Sequence, residues 1–239
     1  MKFSIVIPNY NEGLRIGDCL ESILNQSYTD FDVWVFDNVS TDDSVDIVKK
    51  YMAQDGRVNL IVSEHHFNSG AAGIDTLIRN FAMGELAAWV NADDKMKPEY
   101  FTTVLPYFDN PKTDIVRIAL TAYKDEKPNE YRYLAPLDWT VYWEILLNNK
   151  IYPSSPFRRE LFIGCGGITD MKARFWDWDF WVRAARKSKR IATCIRPLII
   201  RRIHESYMSK DMYDVAAMYI FNKYGKMVPT AEGWEVTYE

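Results

Sequence analysis

Cysteine is scarce. Cys19, Cys165 and Cys194 are the only three in 239 residues, widely spaced and in no paired motif. This argues against a disulfide framework or a thiolate zinc site and fits ordinary packing in a reducing compartment. Basic charge is also in short supply: 29 Lys and Arg face 33 Asp and Glu, for a net charge of −4. Without a basic field to gather phosphates, no nucleic-acid partner is expected. No long apolar run is present. Phe3 to Ile7 breaks at once into Pro8-Asn9-Tyr10-Asn11, too short for a signal-peptide core or a membrane span, and reads as a strand. Neither Gly-x-Gly-x-x-Gly nor a P-loop follows it, which argues against a dinucleotide dehydrogenase or a P-loop nucleotidase. Disorder is excluded by 48% hydrophobic residues and low net charge. A soluble, cytoplasmic, single-domain protein is expected.

What is present alternates between two periods. Phe3 to Ile7, Phe31 to Phe36, Val58 to Val62 and Leu86 to Val90 are short apolar or β-branched runs. Between them, Ile16, Leu20, Ile23 and Leu24 share one helical face, and Val45, Val48 and Met52 share another. Ser40, Thr41 and Asp42 are capping candidates for the second helix, and Pro98 stands as a first-turn proline before Glu99-Tyr100-Phe101. Strand and helix alternating in this way predict an α/β fold, a mostly parallel central sheet with helices on both faces. The second half is less regular. Ile115 to Ala119 reads as a strand, Thr140 to Leu147 as a short helix and Tyr152 to Phe157 as a loop. Asp177 to Lys187 reads as a helix, Ile195 to Ile203 as extended and Met212 to Tyr224 as a terminal amphipathic helix.

In such sheets ligands bind beyond the carboxyl ends of the strands. The polar loops there are Pro8 to Asn11, Asp37-Asn38, Glu64-His65-His66 and Asn91-Ala92-Asp93-Asp94. The adjacent carboxylates Asp93 and Asp94 repel each other unless a cation neutralises them. Hard oxygens suit Mg²⁺ or Mn²⁺, with a diphosphate completing the shell. The alternative is a solvated turn closed by Lys95. His65 and His66, as neighbours on an extended segment, point apart and read as loop residues.

An ordered set of segments resembles the GT-A fold glycosyltransferases of family 2. It opens with Phe3 to Glu12, continues through Cys19 to Ser27, and includes Asp37-Asn38-Val39-Ser40-Thr41-Asp42. Asn68-Ser69-Gly70, Ala82-Met83-Gly84-Glu85 and Asn91 to Asp94 follow in the family's order. Phe157 to Phe162, Gly166-Gly167, Asp177 to Arg183 and His204-Glu205-Ser206 resemble the downstream segments. The likeness spans roughly residues 1–210. It implies a catalytic domain with a nucleotide-sugar half (1–95) and an acceptor half (96–210), and a C-terminal helix and tail (211–239) in the same domain. The implied activity is inverting transfer from a nucleotide diphosphate sugar to a saccharide or lipid-linked saccharide hydroxyl, in polysaccharide, lipopolysaccharide or glycoprotein assembly.

The resemblance assigns roles. Pro8, Tyr10 and Glu12 belong to the donor loop, with the Tyr10 ring stacked on the nucleobase. Asp37 would accept a base N–H, favouring uracil or thymine, although helix capping is its plainer role. Asn91 and Asp93 would hold ribose. Asp93, Asp94 and His204 would hold the divalent metal, Mg²⁺ or Mn²⁺. Asp177 would be the general base that deprotonates the acceptor, while Asp179 caps its helix or pairs with Arg183. Trp176 or Trp178 would stack on the acceptor sugar, and Trp181 reads as core.

Three departures stand out. Asn91 replaces a frequent aspartate, and Trp176 replaces the glutamate before the base. Asp75 occupies the place of an arginine that faces the diphosphate, so that contact passes to Arg79 one turn on, or else Asp75 and Arg79 simply pair. These departures keep open a non-catalytic sugar-nucleotide-binding or assembly protein. A sugar nucleotidyltransferase lacks its Gly-rich basic loop here. Arg183, Arg186, Lys187, Lys189, Arg190, Arg201 and Arg202 read as a solvated basic face, or as a peripheral contact with anionic lipid at the inner membrane face. The terminal helix reads as core cover or a homodimer contact.

Overall fold

The computed structural model describes residues 1–67, 70–124, 127–134, 151–169, 175–203, 216, 218–220, 223–224, 226–230 and 233–237. Four parallel strands form its first half: β1 (Phe3–Asn9), β2 (Phe31–Asp37), β3 (Val58–Val62) and β4 (Leu86–Trp89), in the order β3-β2-β1-β4. Phe3, Ile5 and Ile7 face one apolar layer with Ile16, Leu20 and Ile23 of α1 (Gly13–Leu24). Val6 faces the other, with Ile74, Leu77 and Ile78 of α3 (Ala71–Asn80). Alternate side chains of one strand thus enter two cores, as expected of a strand covered on both sides.

α2 (Ser44–Gln54) starts later than its capping candidates suggested. Its N-cap is Asp43, with no side-chain cap. Asp42 instead accepts hydrogen bonds from Gly13 N at 2.8 Å and Ser44 N at 3.0 Å, joining the starts of two helices. Pro98 falls just outside α4 (Tyr100–Val104), whose N-cap is Glu99.

The second half turns the sheet mixed. The two-residue β8 (Phe157–Arg158) runs antiparallel to both β4 and β6 (Thr113–Lys124), so the expected loop through Phe157 ends inside the sheet. β6 is parallel to β9 (Arg190–Ile203), while β7 (Lys127–Leu134) lies antiparallel on β6. The two-residue β5 (Lys95–Met96) completes the sheet antiparallel to β9. α5 (Arg159–Gly164) and α6 (Trp176–Lys187) follow β8 in sequence. The expected helix at Thr140 to Leu147 lies outside the described residues. Of the expected terminal helix, residues 216, 218–220 and 223–224 are helical. A hairpin of β10 (Lys226–Thr230) and β11 (Gly233–Thr237) follows, which the sequence pattern did not indicate.

Gly84 governs the approach to β4. Its N–H donates to Ser4 Oγ at 2.9 Å, and a Cβ there would stand 2.7 Å from Ser4 N and 2.8 Å from Phe3 C. Backbone cannot swing aside as a flexible side chain can. Gly84→Ala is expected to lower stability by about 2 kcal/mol, the scale of an overpacked interior position, read as a lower urea midpoint with unchanged m-value.

Candidate functional site

The ladder between β1 and β2 ends at Asn9 and Asp37. Asp37 is fully buried. Its Oδ2 accepts from Asn9 Nδ2 at 2.7 Å and Ser40 Oγ at 2.6 Å, and its Oδ1 from Ser40 N at 2.9 Å. The resemblance set this carboxylate against a nucleobase. In the structure its oxygens instead close the β1 and β2 loops on each other, because three donors converge on them from within the fold.

Asn38 extends the arrangement to the loop after β3. Its Nδ2 donates to Phe67 O at 2.7 Å, and its Oδ1 accepts from Phe67 N at 2.8 Å. His66 Nδ1 lies 3.1 Å from Asn38 O, and its ring centroid is 4.6 Å from that of Tyr10, tilted by 55°. Tyr10 is 48% exposed. His66 was read from sequence as a plain loop residue. Only the folded loop brings it to Tyr10.

A cavity of about 250 Å³ opens beside Tyr10, lined by Pro8, Tyr10, Glu12, Asn91, Ala92, Asp93, Arg201 and Arg202. Five expected residues (Pro8, Tyr10, Glu12, Asn91 and Asp93) therefore converge. Arg201 and Arg202 are additions. β5 follows Asp94 directly and pairs Lys95 with Ile200. Continuing that antiparallel register sets Asp94 opposite Arg201 and Asp93 opposite Arg202. Arg202 N donates to Asp94 Oδ1 at 3.2 Å, and Arg202 Nη1 is 3.9 Å from Asp93 Oδ2. No local sequence signal could reveal this pairing, since a two-residue strand has no period.

Asp94 is buried, and Asn91 Nδ2 donates to its Oδ2 at 3.0 Å. Burial, with the Asp93 carboxylate beside it, pushes its pKa up to about 7 despite the opposing pull of Arg201, Arg202 N–H and Asn91. Mg²⁺ and Mn²⁺ are commonly held by one or two carboxylates, with phosphate and water filling the shell. The Asp93–Asp94 pair fits that small donor set. Among the described residues no group of three or more His, Cys, Asp or Glu forms a fuller cage, and His204 lies outside them.

α6 carries the residues expected on the acceptor side. Trp181 stacks on Trp89 at 4.8 Å, and Trp176 lies 6.0 Å from the same ring. Trp89 is two residues before Asn91, so the start of α6 stands over the carboxyl end of β4. Asp177 occupies the first turn there and is half-buried. Trp178 is 2% exposed within the apolar core, which corrects its expected acceptor contact and leaves Trp176 as the partly open ring. Asp179 is fully buried. It accepts from Arg183 Nε at 2.9 Å, Lys223 Nζ at 2.6 Å and Tyr224 Oη at 2.5 Å.

Of the two readings of Arg79, a diphosphate contact or a pair with Asp75, the structure shows the pair: its Nε donates to Asp75 Oδ2 at 2.7 Å, and its Nη2 donates to Gly166 O. Asp75 Oδ1 accepts from Ile168 N at 2.8 Å. Gly167, at φ +64°, leaves no room for a Cβ between Asp75 and Arg79. The aspartate at 75 thus turns the helix's cation toward the 166–168 segment.

Residues 4–166 match the family model for glycosyl transferase family 2. The chain is 31% identical over 138 residues to glycosyltransferase GlyG of Streptococcus pneumoniae serotype 4, covering 58% of this chain and 45% of GlyG. It is 34% identical over 126 residues to the poly(ribitol-phosphate) beta-N-acetylglucosaminyltransferase TarS of Staphylococcus aureus, covering 50% of this chain and 21% of TarS. The chain therefore spans less than half the length of either. In fold it is similar to S. aureus TarS 1–349 in complex with UDP-GlcNAc, with TM-score 0.73 and 22% identity over 93% of this chain and 67% of that one. The mannosyltransferase PcManGT of Pyrobaculum calidifontis, in complex with GDP-Man and Mn²⁺, gives TM-score 0.69 and 19% identity over 95% and 66%. Among the described residues no helix is long and apolar enough to cross a membrane.

The Asp179 cluster has a pH signature. Burial alone would raise its pKa, but the bonds from Lys223 and Tyr224 and the Arg183 charge outweigh it and hold the carboxyl below its ordinary value. Its contribution is therefore complete above the ordinary carboxylate range and fades as pH falls toward the lowered value. Asp179→Asn is expected to cost roughly 3 kcal/mol, the scale of a broken buried ion pair, and to flatten the acid limb of the stability–pH curve measured by urea unfolding.

Proposed function

Because the chain belongs to glycosyl transferase family 2, we propose that it transfers a sugar from a nucleotide diphosphate sugar to an acceptor hydroxyl, with inversion. The observation that carries this reading is the cavity beside Tyr10. It joins an aromatic platform, the Asn91 amide, the Asp93 carboxylate and two arginines beyond the carboxyl ends of parallel strands. A UDP-sugar is the favoured donor, since the fold is similar to a TarS structure holding UDP-GlcNAc. TarS, named for poly(ribitol-phosphate), directs the proposal for the acceptor toward a cell-surface polymer or its lipid-linked precursor.

In this reading Tyr10 carries the base, Asn91 and Asp93 take the ribose, and Arg201 and Arg202 face the diphosphate. Glu12, beside Tyr10, borders the donor. Asp93 and Asp94, with His204 by its place in the family order, would hold Mg²⁺ or Mn²⁺, whose contribution there is neutralisation of charge on the diphosphate. The acceptor oxygen attacks the anomeric carbon as the bond to the diphosphate breaks, and the nucleoside diphosphate departs with the bonding electrons. Asp177 receives the acceptor's proton. Trp176, partly open beside Asp177, offers its face to the acceptor ring.

Asp177→Asn is expected to lower transfer by about 10²–10⁴-fold, the usual worth of a general base. Donor binding should be retained, with the melting temperature still raised by the nucleoside diphosphate and Mn²⁺. Transfer that persists in the variant removes Asp177 from the base role. A wild-type protein that binds donor but yields no product with any hydroxyl acceptor supports the non-catalytic reading instead.

A further inference from the structure

Asp37 is fully buried and accepts three hydrogen bonds from within the fold, and we infer that His66 Nε2, exposed beside Tyr10, is the group that reads a donor's base, selecting bases that carry a ring N–H. The inference rests on the reading of Tyr10 as the base platform. Tyr10 lines the cavity and lies against His66, so a base laid on the tyrosine comes within reach of the imidazole.

The tautomer follows from one contact. His66 Nδ1 faces Asn38 O at 3.1 Å, and a carbonyl oxygen can only accept. Nδ1 therefore bears the proton, and in the neutral ring Nε2 presents a lone pair. The position is built rather than incidental. Ser63 N donates to Asp37 O at 2.9 Å, and the two Asn38–Phe67 bonds fasten the other end of the loop. The imidazole is thus held at both sides of its own position and exposes its accepting edge.

An accepting nitrogen beside the platform discriminates by hydrogen-bond polarity. Uracil and thymine present N3–H, and guanine presents N1–H. Cytosine, equal in size to uracil, presents a bare N3 acceptor that would meet the Nε2 lone pair. The commitment is to the uracil class, the base found in the TarS complex, with guanine as a separate arm of the test.

Calorimetric titration of the full chain, in the presence of Mn²⁺, with UDP, N3-methyl-UDP, CDP and GDP provides that test. In the wild type, UDP is expected to bind about tenfold more tightly than N3-methyl-UDP or CDP, the effect of one lost hydrogen bond with its acceptor left facing a mismatched group. His66→Phe keeps an aromatic ring against Tyr10 and removes Nε2. In it UDP should weaken and the three pyrimidine ligands should converge. A UDP preference that survives in His66→Phe, or a wild type indifferent to N3 methylation, overturns the inference, and the second arm needs no variant to fold. GDP binding as tight as UDP would overturn the commitment to the uracil class. Tyr10→Ala separates the two levels. If it leaves UDP affinity unchanged, or no nucleoside diphosphate binds the wild type, the donor-site reading itself fails.

Discussion

Parallel strands lose their mutual support where their ladder runs out, and in this fold that happens at Asn9 and Asp37. The buried Asp37 carboxylate takes over there, accepting from the end of β1 and from the loop after β2. Charge-assisted bonds in a dry setting are stronger than their surface counterparts. They fix the direction in which Tyr10 and Asn38 leave the sheet. Asn38 in turn fastens the loop after β3. One inward-facing acid therefore ties together the loops after β1, β2 and β3, the first of which brings Tyr10 and Glu12 to the cavity.

The region at the end of β4 is organised by apolar matter. Trp89, Phe157, Phe180 and Trp181 form a block of ring contacts between β4, β8 and α6. Such a block is dense and shape-specific, and it carries the first turn of α6, with Asp177 and Trp176, over the end of β4. Asp179 on the same helix is its polar complement, tying α6 to Lys223 and Tyr224 near the chain's end. The two sides of the proposed site thus owe their rigidity to different forces: hydrogen bonds to a buried charge on one, ring packing on the other.

How far the sequence could be read follows from range. Strands β1 to β4 and helices α1 and α2 were legible because each repeats a local period long enough to recognise. β5 and β8, two residues apiece, carry no period and arise only from long-range pairing. With β7, they make the sheet mixed. The site divides in the same way. Pro8, Tyr10, Asn91 and Asp93 sit directly beyond legible strands, so strand position predicted their meeting. Arg201 and Arg202 reach the cavity through the β5–β9 register, and His66 reaches the Tyr10 ring through a loop closed by Asn38, so neither left a mark on the local pattern. Asp37 and Arg79 show the converse limit. An acid at a strand end or an arginine on a helix reads alike whether it faces a ligand or a neighbour.

The Asp75–Arg79 bracket has an evolutionary corollary. Replacing Asp75 by arginine, the residue expected from relatives, would place two cations side by side and release the Ile168 amide and Arg79 together. Gly167 leaves room for the existing pair, and its φ of +64° favours glycine whatever stands beside it, so exchange of Asp75 or Arg79 strips the other of its partner. Positions 75 and 79 should consequently drift as a linked pair, with single exchanges rare because each passes through a less stable protein.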